Sequence, residues 1–150
     1  MSNQIYSNRT SRYSQTARYD LVGTQSIDYN NERYMVYTEV YNNIDGLSYD
    51  PTTGDFTITE EMNLRVYSTV AFAANPTGQR YTYIGFNGET YGYQKANALT
   101  VGQHICSTSA EVSTNGTLPS YMVVWVYQNI SSTDNLNIES PWTKVMIERF

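Results

Sequence analysis

The sequence contains few of the residues that form cross-links, metal sites and acid–base catalysts. Its 150 residues include one cysteine, Cys106, and one histidine, His104. A single cysteine excludes an internal disulfide, and this pair is too small a ligand set for zinc, which needs three or four ligands. The Gly-x-Ser-x-Gly pattern of an exposed catalytic serine is also absent. The sequence therefore predicts a protein that is not an enzyme and that uses no cofactor, metal or small-molecule substrate.

Charged residues and long apolar runs are also scarce. Charged residues make up 15% of the chain, and its net charge of −5 argues against general nucleic-acid binding. No apolar run is long enough to span a membrane, so no membrane insertion is expected. The first residues are polar and lack the apolar segment of a secretory signal, so we expect synthesis in a cytoplasm.

Tyrosine is abundant where charge is scarce. The chain has 15 tyrosines, and a tyrosine side chain is apolar on its ring and polar at its tip. Surfaces rich in tyrosine and poor in charge suit permanent protein contacts or contacts with carbohydrate. The alternative is that most of these tyrosines are half-buried strand residues, because strands favour aromatic side chains.

The hydrophobic pattern is that of strands throughout. Residues 50–55 have the composition of a tight reversal, and the residues that follow alternate between apolar and polar with a period of two. The pattern predicts strands over residues 56–59, 64–72 and 79–86, with an Asn87-Gly88 hairpin after the last of them. No segment has a sustained helical period. Short strands separated by Gly, Pro and Asn turns predict an all-β, antiparallel β-sandwich or jelly roll.

The segment 120–128 is apolar on both faces, whereas one face of an antiparallel strand normally meets water. This strand is therefore expected to be covered twice, once by the core and once by another subunit. The predicted subunit interface consists of the side chains Tyr121, Val123, Trp125 and Tyr127. The opposite face, formed by Met122, Val124 and Val126, is the alternative, and the sequence does not decide between them.

The first 31 residues are polar and differ in charge from the rest of the chain. Residues 1–30 carry a net charge of +1, and the remaining residues carry −6. We expect an extended N-terminal arm over residues 1–31, followed by a jelly-roll domain over 32–150. The arm is predicted to dock on a neighbouring protein through its basic residues, Arg9, Arg12 and Arg18. Three arginines are too few to neutralise a packaged genome.

One segment carries a family resemblance. Tyr49-Asp50-Pro51, followed by Thr53-Gly54 and Phe56-Thr57, resembles the start of the globular domain of the C1q/tumour-necrosis-factor superfamily. A second similarity lies at residues 140–147, where the family has a turn and a closing apolar strand. The resemblance extends over about residues 34–150. It implies a jelly roll of eight or ten strands that is usually trimeric and binds partners.

These observations predict a non-enzymatic structural component of a virus particle. Such a protein would be a minor capsid, cement or spike protein of the virion, made in the host cytoplasm. It would form a homotrimer and dock on other virion structural proteins through its arm. The alternative is a receptor-binding or glycan-binding module, such as a fibre tip or a lectin-like head. In that case tyrosine and asparagine side chains on the loops would contact sugars.

Overall fold

The computed structural model describes residues 15–28, 30–98, 100–130 and 136–150. These residues form thirteen β-strands, and no helix occurs among them. Accordingly, no helix in these ranges is long and apolar enough to cross a membrane. The strands are β1 Gln15–Asp20, β2 Thr24–Ile27, β3 Asn31–Tyr34, β4 Thr38–Asn42, β5 Leu47–Asp50, β6 Asp55–Ile58, β7 Asn63–Phe72, β8 Arg80–Phe86, β9 Glu89–Ala96, β10 His104–Ser113, β11 Ser120–Gln128, β12 Leu136–Glu139 and β13 Lys144–Arg149.

The strands form two antiparallel sheets. Sheet I has the order β2-β12-β7-β13-β1-β4, and β10 also pairs with β7. Sheet II has the order β5-β6-β11-β8-β9, and β3 pairs with β11 at residues 125–128. Each sheet turns one face toward the other sheet and one face outward. The prediction of an all-β jelly roll is confirmed by this architecture.

The core lies between the sheets and is built from alternate residues of each strand. On β7 the inward positions include Leu64, Val66 and Val70, all buried, with Ser68 as the one polar residue among them. On β11 the inward residues Met122, Val124 and Val126 are completely buried. Because alternate residues of a strand point to opposite faces, the other half of each strand faces outward.

The segment that resembles the C1q/tumour-necrosis-factor superfamily belongs to sheet II and packs across the core against sheet I. Its Tyr49 and Phe56 rings lie 4.6 Å apart, and both pack against Tyr19 of β1, at 5.1 and 4.9 Å between ring centroids. The turn between β5 and β6 is closed by the Gly54 nitrogen, which donates to the Asp50 carbonyl oxygen at 2.8 Å. Gly54 has φ +76°, and a Cβ there would lie 2.8 Å from the Met35 carbonyl oxygen. This position therefore requires glycine.

The predicted hairpin and its strands are confirmed. Asn87 and Gly88 both have positive φ, as a two-residue hairpin turn requires, and they connect β8 to β9. The register between β8 and β9 shifts next to Tyr83, opposite Gly92, which has φ +53°. A Cβ on Gly92 would lie 2.4 Å from the Ser109 carbonyl oxygen. The glycine thus lets β9 approach β10, where the sheets meet.

The N-terminal boundary of the domain differs from the prediction. The arm was predicted to end at residue 31, but β1 lies within sheet I between β13 and β4, and β2 pairs with β12. Ala17 and Tyr19 of β1 are completely buried. The jelly roll therefore includes residues 15–28 and 30–31, and the predicted boundary at 32 is wrong. Residues 1–14 lie outside the described ranges.

The sequence obscured β1 because its outward side chains are charged. Arg18 and Asp20 flank the buried Tyr19, and they bind each other through two contacts of 2.7 and 2.8 Å. Because the two charges neutralise each other, the polar segment Gln15–Asp20 can form a strand inside sheet I, between β13 and β4. A second strand that the sequence pattern did not predict is β12. Only Leu136 and Ile138 mark this short strand as apolar, and it pairs with β2 and, at Ile138, with β7.

Candidate binding surfaces

The outer face of sheet II is aromatic. The inward residues of β8 are Arg80, Thr82, Ile84 and Phe86, so Tyr81 and Tyr83 point outward. Cross-strand register places aromatic residues of four strands side by side: Tyr34 lies opposite Trp125, Trp125 opposite Tyr83, and Tyr83 opposite Tyr93. We call these four residues the aromatic row. With neighbouring strands about 4.8 Å apart, the row spans roughly 14 Å.

The rings at the centre of the aromatic row lie nearly parallel. Tyr83 and Trp125 have centroids 6.4 Å apart and ring planes 22° apart, whereas Tyr34 stands at 78° to Trp125 at the end of the row. A second line of rings lies beside the row, with Tyr127 and Tyr81 in contact at 5.3 Å. Together these rings form a continuous surface and do not surround an enclosed cavity.

Carboxylates lie at the edges of this surface. Glu32 joins four tyrosines around a cleft of about 230 Å³. Asp55 lines two neighbouring grooves of about 360 and 320 Å³, and both grooves include Val123 and Trp125. Glu89 lines the larger groove. Each depression on the surface therefore combines aromatic walls with at least one carboxylate.

The environment of Tyr83 is electrostatically distinct. Partial burial, together with the negative charge of Glu32, raises the pKa of Tyr83 to about 12. The phenol therefore stays protonated at neutral pH and can donate as well as accept a hydrogen bond.

The floor of the larger groove is Gly85, which points outward between Val123 and Thr90 of the neighbouring strands. Its backbone φ is not positive, so glycine is not needed here for a left-handed backbone conformation. What matters at this position is the absence of a side chain. A Cβ at this position would lie 3.2 Å from Val123 Cγ1 and 3.4 Å from the Cδ1 and Nε1 atoms of Trp125. The missing side chain allows the indole to lean over the sheet and keeps the groove open.

The outer face of sheet I differs in character. Register places Tyr41, Arg18, Met146, Tyr67 and Ser109 side by side across five strands. The exposed fractions of Tyr67 and Met146, at the centre of this line, are 45% and 40%. We call these five residues the central line of sheet I.

The arginines on this face are already paired with carboxylates. Arg18 binds Asp20 at 2.7 Å, and Arg65 binds Glu111 at 2.8 Å and Glu148 at 3.5 Å. On the outer face of sheet II, by contrast, Glu32, Asp55 and Glu89 form no ion pair with any described residue. The two outer faces thus present different surfaces to a partner, one with arginine–carboxylate pairs and one with carboxylates that form no ion pair with a described residue.

Comparisons with known proteins place this architecture among solved structures. Murine APRIL, in a crystal structure at pH 5.0, superposes with a TM-score of 0.68 at 13% identity and covers 91% of this chain and 99% of its own. Eiger TNF from S. frugiperda superposes with a TM-score of 0.61 at 10% identity and covers 91% and 92%. The fold is a TNF-like jelly roll. No family model matches the sequence, and no curated protein matches it.

Within this TNF-like jelly roll, the residues of the predicted subunit interface all point outward. Tyr121 is 51% exposed, and Val123, Trp125 and Tyr127 are partly buried by their neighbours on sheet II. The alternative face of the strand is closed to partners, because its residues fill the core. The interface itself remains a prediction.

The predicted docking arginines are separated by the structure. Arg18 lies on β1, inside sheet I, with its guanidinium bound by Asp20. It is therefore not part of an arm, and that assignment is wrong. Arg9 and Arg12 lie outside the described residues.

The two residues considered for metal or nucleophilic chemistry lie on β10. Cys106 is buried, and burial raises the pKa of its thiol to about 11. His104 is partly buried, and its Nδ1 has no hydrogen-bond partner among the described residues. In the same ranges, no three His, Cys, Asp or Glu side chains lie close enough together to hold a metal.

The aromatic row was not predicted from the sequence. Its members come from strands that are far apart in the chain, and only their register brings them together. One signal was available, because the alternation over 79–86 already placed Tyr81 and Tyr83 opposite the apolar residues of the same strand. The partners Tyr34 and Tyr93 and the carboxylates Glu32 and Asp55 carried no such signal.

Proposed function

We propose that the chain is a non-enzymatic structural protein that assembles as a homotrimer. The observation that carries this proposal is the central line of sheet I, where Tyr67 and Met146 are exposed between the ion pairs of Arg18 with Asp20 and of Arg65 with Glu111. Exposed apolar side chains on a flat sheet are stabilised by burial against another subunit. Paired charges lower the cost of removing such a face from water. The TNF-like fold supports the trimer, as the family resemblance implied.

The predicted interface on β11 is less suited to self-association. Three copies meeting through this face would bring together the carboxylates of Glu32, Asp55 and Glu89, none of which has a cationic partner among the described residues. Like charges brought together in an interface are unfavourable. We therefore assign the trimer contact to sheet I and leave the β11 face in contact with solvent.

The proposal includes a place in a virus particle, with other virion proteins as partners. Its support is compositional, since a surface rich in tyrosine and poor in charge suits permanent contacts. Docking is assigned to residues 1–14, which include Arg9 and Arg12. Mass spectrometry of purified particles tests this part: peptides of the chain should be present in intact virions, and their absence would contradict a structural role.

Sedimentation equilibrium of the full chain tests the assembly. A mass three times the 17.1 kDa of one chain is expected. Tyr67→Glu should give a monomer, because it buries an unpaired charge at the contact, whereas Tyr121→Glu, on the other sheet, should remain a trimer. Circular dichroism should show that both variants are folded. A monomeric wild type would refute the trimer. If Tyr121→Glu gives a monomer and Tyr67→Glu remains a trimer, the subunit interface lies on β11 and not on sheet I.

A further inference from the structure

From the outer face of sheet II we infer a second function that is independent of the trimer: a binding site for neutral oligosaccharides of gluco-configured hexopyranoses. The site consists of the aromatic row and the carboxylates beside it, Glu32, Asp55 and Glu89. It lies on the sheet opposite the proposed subunit contact, so it stays open in the assembled protein.

The ring geometry determines what stacks on this surface. Tyr83 and Trp125 are nearly parallel, with planes 22° apart, and the indole leans over Gly85. A β-linked gluco-configured pyranose in its chair form carries only C–H groups on each of its two faces and carries its hydroxyls around its rim. Its faces therefore pack on aromatic rings while the rim stays free for hydrogen bonds. A surface made of successive rings accepts successive sugar units.

The carboxylates supply the polar half of the recognition. Glu32 lies at one side of the row, and Asp55 and Glu89 line the groove above Gly85 together with Asn87. A carboxylate accepts hydrogen bonds from hydroxyl groups, whereas the Asn87 side chain already donates to Ser120 Oγ at 3.0 Å and accepts from the Tyr121 nitrogen at 2.8 Å. Apolar walls with a few convergent polar groups are the general pattern of small-ligand sites.

The same observations argue against two other ligand classes. Anionic ligands, such as nucleic acids and sulfated glycans, would meet three carboxylates that have no cationic partner among the described residues. A quaternary ammonium ion needs rings that enclose it, but the cleft between Glu32 and the four tyrosines is open, and Tyr81 contacts Tyr93 and Tyr127 directly, at 5.5 and 5.3 Å. The protein's own Lys95 already lies 5.8 Å from the Tyr81 ring centroid.

The chain offers an internal reporter for the test. It contains two tryptophans, Trp125 in the row and Trp142, which is 55% exposed and precedes β13. In a Trp142→Phe background, the indole fluorescence comes from Trp125 alone. Titration of the full chain with cellohexaose should give a saturable change in this fluorescence. The same titration with a heparin-derived hexasaccharide or with tetramethylammonium chloride should give none.

Variants decide whether the signal comes from the proposed site. Tyr93→Ala removes a ring that is 56% exposed on β9, so the fold should persist, and the dissociation constant for cellohexaose should rise at least tenfold. Asp55→Asn should weaken binding in the same direction. Tyr91→Ala is the matched control, since Tyr91 is also an exposed tyrosine of β9 but lies outside the row, and it should bind like the parent.

Gly85→Ala provides a further check. Its added methyl would stand against Val123 and the Trp125 indole and would narrow the groove. Weaker binding with an unchanged melting temperature is expected. The inference is overturned if cellohexaose gives no saturable change, if Tyr93→Ala binds as tightly as Tyr91→Ala, or if the charged probes bind at the same residues. None of these results depends on the oligomeric state, which is measured separately.

Discussion

The Tyr49 hydroxyl accepts a hydrogen bond of 2.7 Å from the backbone nitrogen of Tyr37. Tyr49 belongs to β5 of sheet II, and Tyr37 lies in the connection between β3 of sheet II and β4 of sheet I. Tyr37 lies outside the strand pairings, so its backbone nitrogen is satisfied by a side chain. Tyr49 is the first residue of the segment that resembles the C1q/tumour-necrosis-factor superfamily. Its hydroxyl thus binds the backbone of the connection between the two sheets.

Tyr49→Phe is therefore expected to destabilise the protein. The ring would keep its contacts with Tyr19 and Phe56, but the Tyr37 nitrogen would lose its acceptor. Leaving a buried donor unsatisfied costs about 1–3 kcal/mol. Urea denaturation at neutral pH measures this cost as a lower free energy of unfolding. An unchanged midpoint would mean that water replaces the hydroxyl.

Tyr37→Phe provides the opposite case at the same place. The Tyr37 side chain is buried, and its hydroxyl has no hydrogen-bond partner among the described residues. Removing an unsatisfied polar group is neutral or stabilising, so the free energy of unfolding should stay the same or rise by up to about 1 kcal/mol. The same urea titration tests this, and a clear loss of stability would reveal a partner for the hydroxyl.

Regular alternation explains most of what could be predicted from the sequence. β7, β8 and β11 alternate over seven to ten residues, and their inward faces follow directly from that pattern. β1 and β12 were missed because they are short and because their pairing partners lie far away in the chain. The outward residues of β1 also include the charged pair Arg18 and Asp20. The strand therefore has the polar composition that is typical of a disordered terminal segment, although it lies inside a sheet.

The candidate site could be predicted only in part. The strand 120–128 was identified as doubly apolar, and its outward face does contribute Trp125 to the aromatic row. The row itself depends on register across four strands, and register is set by tertiary pairing. The role of Gly85 was equally hidden, because it depends on how the Trp125 indole leans across the neighbouring strand.

Stability is expected to fall in alkaline solution. Burial raises the pKa of the Cys106 thiol from 9.0 to about 11, and it raises the pKa values of Tyr19, Tyr37 and Tyr49 above the usual 10.0. An acid whose pKa is higher in the folded state contributes stability below its unfolded pKa and loses it as the pH rises through its folded pKa. The melting temperature should therefore decline above about pH 9.

Two variants separate the groups that contribute to this decline. Cys106→Ala should flatten the curve between about pH 9 and 11, because the thiol titrates there. Tyr37→Phe should flatten it only above about pH 10. A melting temperature that stays constant from pH 7 to 11 in the wild type would contradict burial of these groups.

The completely buried Thr143 links three strands through one residue. Its Oγ1 accepts a hydrogen bond of 2.9 Å from the Ala71 nitrogen of β7 and donates one of 2.8 Å to the Glu139 carbonyl oxygen of β12. Its own carbonyl oxygen accepts from the Leu21 nitrogen, just after β1, at 2.9 Å.

Thr143→Val keeps the shape of the side chain but removes both hydroxyl bonds. The unfolding free energy should fall by about 1–3 kcal/mol, since the Ala71 nitrogen is left buried without an acceptor. Thr143→Ser is the matched control, because it retains the hydroxyl and should recover most of that loss. If the valine variant is as stable as the wild type in urea, the hydroxyl does not hold these strands together.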